Sequence, residues 1–362
     1  MPDRRNFLKA VAGATAGAMF AGCDLLDAAA ARAPQAAGAP RRVVSVRGKR
    51  VKVVDVHAHA QIPELLDVVK GTALDGKVAR PAPSLILGPQ RLLAIDALGI
   101  DVQVLSSNGF WWYSADRNLA DKLVKLQNEK LAAWCALHPD RFVALTSVAL
   151  QFPDLAAAQL EYAVKQQGFK GAAIGGHVDN EPLSAPKFYP FWAKAEELGV
   201  LVFMHPETST GLVKDDVLTG KGDLGNIIGN PLETTIFLSH MIYEGVFDRF
   251  PGLKVCAAHA GGYLASYLGR SEVACAMRPG ADCANQKHPS EYLKSQILID
   301  TIINSAEGLR HIVAEAGAGQ VVYGTDMPFR WPDSVDLILN GPFSNAEKEA
   351  MLGGNLSKLL KI

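Results

Sequence analysis

Residues 51–60 read VKVVDVHAHA, an apolar and β-branched run that ends on two histidines two positions apart. On a strand, side chains i and i+2 share a face, so His57 and His59 converge on one point at the strand's end. Two imidazoles fall short of the three or four protein ligands usual for zinc. If the pair holds a metal, distant parts of the chain must supply the other ligands.

Further runs of the same kind occur at 101–106, 142–149, 170–174, 200–204, 253–258, 296–300 and 320–323, which makes eight with 51–57. Amphipathic helical patterns lie between several of them. The clearest follows Ser114 and carries Leu119, Leu123, Leu126, Leu131 and Trp134 before Pro139 stops it. Alternation of this kind predicts a parallel sheet, and eight units within residues 41–362 predict a single closed (β/α)8 TIM barrel. Two Gly-, Pro- and polar-rich excursions, at about 60–90 and 206–229, follow the first and fifth strands. Both leave from C-terminal strand ends, the catalytic face of a barrel, and are expected to be lids or substrate loops.

The other strand ends carry the missing groups. VLVFMHP ends on His205, KVCAAHAGG on His259, and VVYGTDMPF places Asp326 just past strand eight. A lone histidine at a strand end is ordinarily a hydrogen-bonded surface or core residue. Five such groups on one rim, with an H-x-H pair among them, form a constellation. His177, in GGHVDN after strand four, is placed to touch a substrate, whereas His240 lies on a helical pattern and reads as structural.

Composition sets the outer bounds. With 362 residues, 49% hydrophobic, 20% charged and a net charge of -1, the chain has the size of one large barrel or two smaller domains and no basic excess for nucleic acid. It contains neither a strand-linked G-x-G-x-x-G nor a P-loop, so no nucleotide or organic cofactor is suggested. Residues 1–40 differ from the rest. Arg4 and Arg5 precede a short apolar run and an Ala-rich linker with Pro34 and Pro40, which reads as a signal peptide rather than a bilayer span. Cys135 and Cys256 sit in apolar stretches and read as buried residues; a pair between Cys275 and Cys283 is left open.

Several phrases of the sequence are similar to known ones. Arg-Arg-Asn-Phe-Leu-Lys resembles a twin-arginine export signal, with Asp3 where Ser or Thr is usual, which implies a periplasmic protein. FAGC resembles a lipobox and would make Cys23 a lipidated, membrane-anchored terminus, although Phe20 departs from the usual Leu and cleavage within DAAAARA is the rival. H-x-H, His-Pro, His-Ala-Gly-Gly and Gly-Thr-Asp-x-Pro-Phe, in this order, resemble the amidohydrolase-2 branch of the amidohydrolase superfamily. The likeness runs from about residue 50 to 358, includes DGKVAR, GIDVQVLSS, RFVALTSVAL and GGHVDNEPL, and is strongest toward aminocarboxymuconate-semialdehyde decarboxylase.

By that resemblance His57, His59, His205 and Asp326 are metal ligands for one Zn2+ per subunit, with Mn2+ as the other candidate, and His259 is the catalytic base beside Asp326. Binuclear relatives carry a bridging lysine at the end of strand four; here that end reads AAIGGH and Lys170 stands at the strand's start, so one ion is expected. The resemblance also implies that Arg80 and Arg270 hold substrate carboxylates, Arg270 from the neighbouring subunit of a homodimer. Guanidinium forks suit that task. Glu207, in HPETST, replaces an aromatic residue of the decarboxylases and would repel a dianionic substrate. The expected activity is non-oxidative decarboxylation, by a carboxy-lyase, of a small carboxylated aromatic or muconate-type compound. Hydrolysis of a lactone, ester or amide is the alternative, and an exported metal-binding protein without activity the third reading.

Overall fold

In the computed structural model, which describes residues 40–107, 111–207, 209–214 and 216–362, every one of the eight expected runs contains a strand. They are β1 Val54–His59, β2 Val102–Ser106, β3 Phe142–Ala144, β4 Gly171–Ile174, β5 Leu201–Met204, β6 Lys254–Ala257, β7 Ile297–Asp300 and β8 Val321–Val322. The proposed signal, linker and lipidation site at Cys23 lie outside the described residues.

All neighbouring pairs among these strands are parallel. β1, β2 and β3 form one ladder, and β4, β5, β6, β7 and β8 another. A parallel bridge between Thr146 and Ala172 joins the ladders on one side. On the other, the Ala58–Met327 bridge and the bond from Val56 N–H to the Tyr323 carbonyl (3.0 Å) bring β8 back to β1. This closure makes the (β/α)8 barrel. Gly171 permits one step of it: at its φ of 150°, an added Cβ would stand 1.8 Å from the Leu201 carbonyl oxygen.

The helices pack outside. They include α1 Pro89–Leu98, α2 Arg117–Leu137, α3 Pro153–Gln167, α4 Tyr189–Leu198, α5 Asn230–Tyr243, α6 Leu268–Met277 and α7 Ala306–Ala316. Helix α2 begins later than Ser114 because the Asp116 carboxylate accepts the Leu119 N–H at 3.0 Å and caps it. Its buried stripe holds Leu119, Leu123 and Leu131.

Period-two alternation divides the core. Val54, Val104, Leu145, Ala173, Phe203, Cys256, Leu298 and Val322, one from each strand or its immediate end, form one buried cluster that fills the barrel. Leu356 and Leu360 of the last helix join it. Val202, Met204, Val255 and Ile299 belong instead to the layer that meets Trp192, Phe237 and Leu309 of the helices. Each such side chain contributes about 1.5–3 kcal/mol by leaving water.

Of the two long excursions, 60–90 carries a short helix, Leu65–Val69, and a 3-10 turn, Pro83–Leu85, while 206–229 ends in the π-turn Gly225–Gly229. Cys275 and Cys283 form a disulfide. Cys256 is buried and Cys135 half-buried. No described helix is long and apolar enough to cross a membrane.

Candidate metal centre

The register of β1 against β2 shifts between Asp55 and Ala58. Bulges of this type re-aim side chains at barrel rims, and this one lies where the chain delivers His57. Its ring meets Phe203 at 5.1 Å and His205 at 5.0 Å between centroids, and the His59 ring lies 4.8 Å from that of His205. From β8, Asp326 reaches in with Oδ1 3.1 Å from His57 Nε2 and 2.8 Å from His59 Nε2. One ligand atom from each of His57, His59, His205 and Asp326 lies within 4.8 Å of the others, and all four residues are buried.

The donor set, three imidazole nitrogens and one carboxylate oxygen within reach of one point, fits a divalent transition metal. Its electrostatics also call for a cation. Burial disfavours a charged His57, yet Asp326 and Asp300 overcome it and push the imidazole up to about 10. Burial likewise opposes charge on Asp326, but the surrounding imidazoles, His57 foremost, hold its carboxyl well below the usual range. His205 moves the other way: burial, then the imidazoles of His59, His57 and His259, keep it neutral, as a ligand must be. Its Nδ1 is buried without a hydrogen-bond partner.

His259 stands beside the four without joining them. Its Nε2 is 3.8 Å from Asp326 Oδ2, and its Nδ1 has no partner. The turn that carries it is strained: His259 (φ 54°), Ala260 (57°), Gly261 (71°) and Gly262 (67°) are all left-handed. For the two non-glycine residues this costs about 1–2 kcal/mol each. Asp326 has a φ of 58° as well. What holds the first turn is Asp300, at the end of β7. Its carboxylate accepts the N–H groups of His259 (3.2 Å), Ala260 (2.9 Å) and Ile302 (3.1 Å), together with His57 Nδ1 (2.7 Å).

A second layer sits beneath. Asp55 accepts from the Thr325 hydroxyl (2.7 Å), Gln103 Nε2 (2.8 Å) and the His57 N–H (3.1 Å); Gln103 in turn accepts from Arg91, whose guanidinium also reaches the His59 carbonyl. Burial, only partly offset by these bonds, pushes Asp55 up to about 6.

Beside the centre opens a cleft of ≈ 600 Å³, lined among others by Trp111, Tyr113, Gly176, His177, Glu207 and Glu233. It shares the centre's rim, since Gly175 and Gly176 follow β4 and Glu207 is two residues past His205. Burial and then Glu233 raise Glu207 to about 7. His177 opens a short hairpin, with its Nδ1 accepting the Asn180 N–H at 3.1 Å. The two arginines are elsewhere. Arg80 is exposed on the first excursion, one residue past Ala79, which lines the cleft. Arg270 is exposed on α6 near Tyr243 and the disulfide, while Glu272, the acid close to it in sequence, binds His288 (3.0 Å) and the Ser290 N–H (2.6 Å).

Thus His57, His59, His205, Asp326 and His259 come together, His177 and Glu207 share the adjoining cleft, and Arg80 and Arg270 make no described contact with either group. Sequence reasoning passed over Asp300, Asp55, Glu233 and the Trp111–Tyr113 pair. For Asp300 a signal existed, because ILID ends strand seven on an acid as other strands end on histidine.

Comparison with known proteins matches residues 54–362 to the amidohydrolase family, Amidohydro_2. The chain belongs to that family. This amidohydrolase is 33% identical over 297 residues to 2-amino-3-carboxymuconate-6-semialdehyde decarboxylase of Dictyostelium discoideum, covering 79% of this chain and 80% of the relative. It is 27% identical over 290 residues to gamma-resorcylate decarboxylase of Polaromonas sp., covering 75% and 87%. Among solved structures, 5-carboxyvanillate decarboxylase of Novosphingobium aromaticivorans, complexed with manganese and 4-hydroxy-3-methoxy-5-nitrobenzoic acid, superposes with a TM-score of 0.81 at 24% identity, over 89% of this chain and 99% of that one. That superposition supports the barrel assignment of the amidohydrolase.

Proposed function

We propose that this amidohydrolase is a metal-dependent carboxy-lyase that removes CO2, without oxidation, from a small carboxylated aromatic or muconate-type substrate. The observation that carries this reading is His259: an imidazole beside, but outside, a three-histidine, one-aspartate cluster, with a substrate-sized cleft on the same rim. A site for binding alone needs no such base. The names of the three relatives given above, each a decarboxylase, support the reaction class.

His57, His59, His205 and Asp326 hold one divalent ion. Three imidazoles favour Zn2+, and the manganese of the carboxyvanillate enzyme makes Mn2+ the other candidate; metal analysis of the purified protein decides. When bound, such an ion supplies Lewis-acid polarisation of a substrate oxygen. His259 delivers a proton to the carbon that bears the carboxylate. The bond from that carbon to the carboxylate then breaks, its electron pair returns to the unsaturated system, and CO2 leaves; water restores the proton to His259. Asp300 keeps the imidazole aimed, and the barrel wall keeps His57 still.

Glu207 favours a second reading, hydrolysis of a lactone, ester or amide, because a half-buried acid in the cleft opposes a dianionic substrate. Metal-loaded protein offered aromatic carboxylates, muconate-type acids and lactones separates the two. Release of CO2 supports the lyase, and release of acid from a lactone or ester without CO2 overturns it.

The export reading is carried by Arg4, Arg5 and the apolar run after them, and the disulfide Cys275–Cys283 suits an oxidising compartment. The mass of the mature chain separates lipid on Cys23 from cleavage within residues 27–33. Arg270, exposed and outside its own chain's cleft, is proposed to serve the partner subunit of a homodimer; sedimentation at micromolar concentration tests the dimer, and Arg270→Ala the service.

A further inference from the structure

We propose that Glu207 reads a hydrogen-bond donor, a hydroxyl or amine set apart from the reacting carboxylate, and thereby selects monocarboxylates over dicarboxylates; this rests on the decarboxylase reading for the identity of the carboxylated arm. Glu233 fixes the backbone around it. Its Oε1 accepts the Gly176 N–H at 3.2 Å, and its Oε2 accepts those of Glu207 (2.8 Å) and Ser209 (2.9 Å). A buried carboxylate so engaged is a clamp between the segments after β4 and β5 and has little left to offer a ligand.

Glu207 differs. Its backbone is fixed by that clamp, its side chain lines the cleft, and among the described residues its carboxylate has neither a hydrogen-bond partner nor an ion pair, although Lys77 lines the same cleft. A half-buried acceptor held on a fixed backbone and left unpaired is an acceptor for something that enters.

An aromatic wall of the same cleft indicates the shape of that something. The Trp111 and Tyr113 rings stack at 6.4 Å with 20° between planes, and the Tyr113 hydroxyl accepts the Gly175 N–H at 3.2 Å. Trp111 is 3% exposed, and its Nε1 is an unpartnered donor 3.0 Å from where a Cβ on Gly175 would stand. Glycine at 175 and 176 leaves no side chain between this wall and Glu207; a Cβ on Gly176 would stand 2.8 Å from Glu233 Oε1. A flat ring against the aromatic wall therefore presents its substituent to Glu207. A donor is paired there, a methyl leaves the acid unsatisfied, and a second carboxylate is repelled.

The test reads binding, separately from turnover. Metal-loaded protein is titrated at pH 8 by tryptophan fluorescence with 3- and 4-aminobenzoate, the matching toluates, isophthalate and terephthalate, for wild type, Glu207→Met and Glu207→Gln. Metal content and melting temperature of each variant are checked first. Wild type is expected to bind an aminobenzoate roughly tenfold more tightly than its toluate. Glu207→Met should erase that ratio and improve dicarboxylate binding, while Glu207→Gln, which keeps a carbonyl acceptor, should retain part of it. Equal binding of aminobenzoates and toluates by wild type, or an equal loss for all ligands in Glu207→Met, overturns the proposal. A Glu207-dependent ratio with no CO2 from any compound sustains it and sinks the decarboxylase reading; CO2 release with a ratio indifferent to Glu207 does the reverse.

Discussion

Asp300 Oδ2 stands 2.7 Å from His57 Nδ1, and the same carboxylate holds the backbone N–H groups of His259 and Ala260. One acid thus orients a residue of the candidate metal centre and pins the strained turn that carries the proposed base. Asp300→Asn keeps the shape but loses the charge that fixes the His57 tautomer. Metal affinity should fall by about 10- to 100-fold, as read by competition with a chelating dye. Asp300→Ala additionally frees the turn, so its turnover at saturating metal should fall below that of Asp300→Asn. Equal turnover in the two variants would separate Asp300 from His259.

His259 lies outside the cluster of four ligand atoms, with its Nε2 3.8 Å from Asp326 Oδ2. His259→Asn should therefore retain the ion at one equivalent while losing about 10²- to 10⁴-fold in turnover. Metal analysis and CO2 release on the same sample check both halves. Loss of the ion in this variant would make His259 a ligand instead of a base.

The four ligands come from β1, the end of β5 and the end of β8, so an ion ties together strands distant in sequence. Chelation should lower the melting temperature, and one equivalent of Zn2+ or Mn2+ should restore it. At a hundredfold excess of free metal over Kd the gain is about 2.7 kcal/mol, several degrees for a chain of this size. His59→Ala should melt at the chelated temperature with or without added metal.

Much of this was legible because barrel strands are short β-branched runs and because their C-terminal ends share one rim. His205, His259 and Asp326 were legible on the same ground, each standing at such an end. The shift between Asp55 and Ala58 was not, since a bulge leaves the alternation VDVHAH intact and appears only when β2 is laid beside it. Glu233 was hidden for a different reason: it lies on α5, where an acid in the first turn looks like ordinary helix chemistry, and only the fold brings the segments after β4 and β5 to its oxygens. Arg270 shows the converse case, a residue whose proposed role needs a surface that no single chain displays.

Glu207 has a consequence for stability that runs opposite to its proposed role in binding. Burial and the neighbouring Glu233 raise its carboxyl from 4.5 to about 7. Below pH 4.5 the acid is protonated in both folded and unfolded chains and has no effect. Between 4.5 and about 7 the unfolded chain has released a proton that the folded chain keeps, so folding takes up a proton and stability falls as pH rises; above 7 the penalty is complete. Its ceiling is on the order of 3 kcal/mol, from about 1.4 kcal/mol for each pH unit of displacement. Glu207→Gln removes the ionisation and should melt close to wild type at pH 5 but several degrees higher at pH 8, in metal-free protein compared across that range. An equal difference at both pH values would mean that the acid is already ionised at pH 5, and that the cleft solvates its charge more fully than its burial among Glu233 and Tyr113 implies.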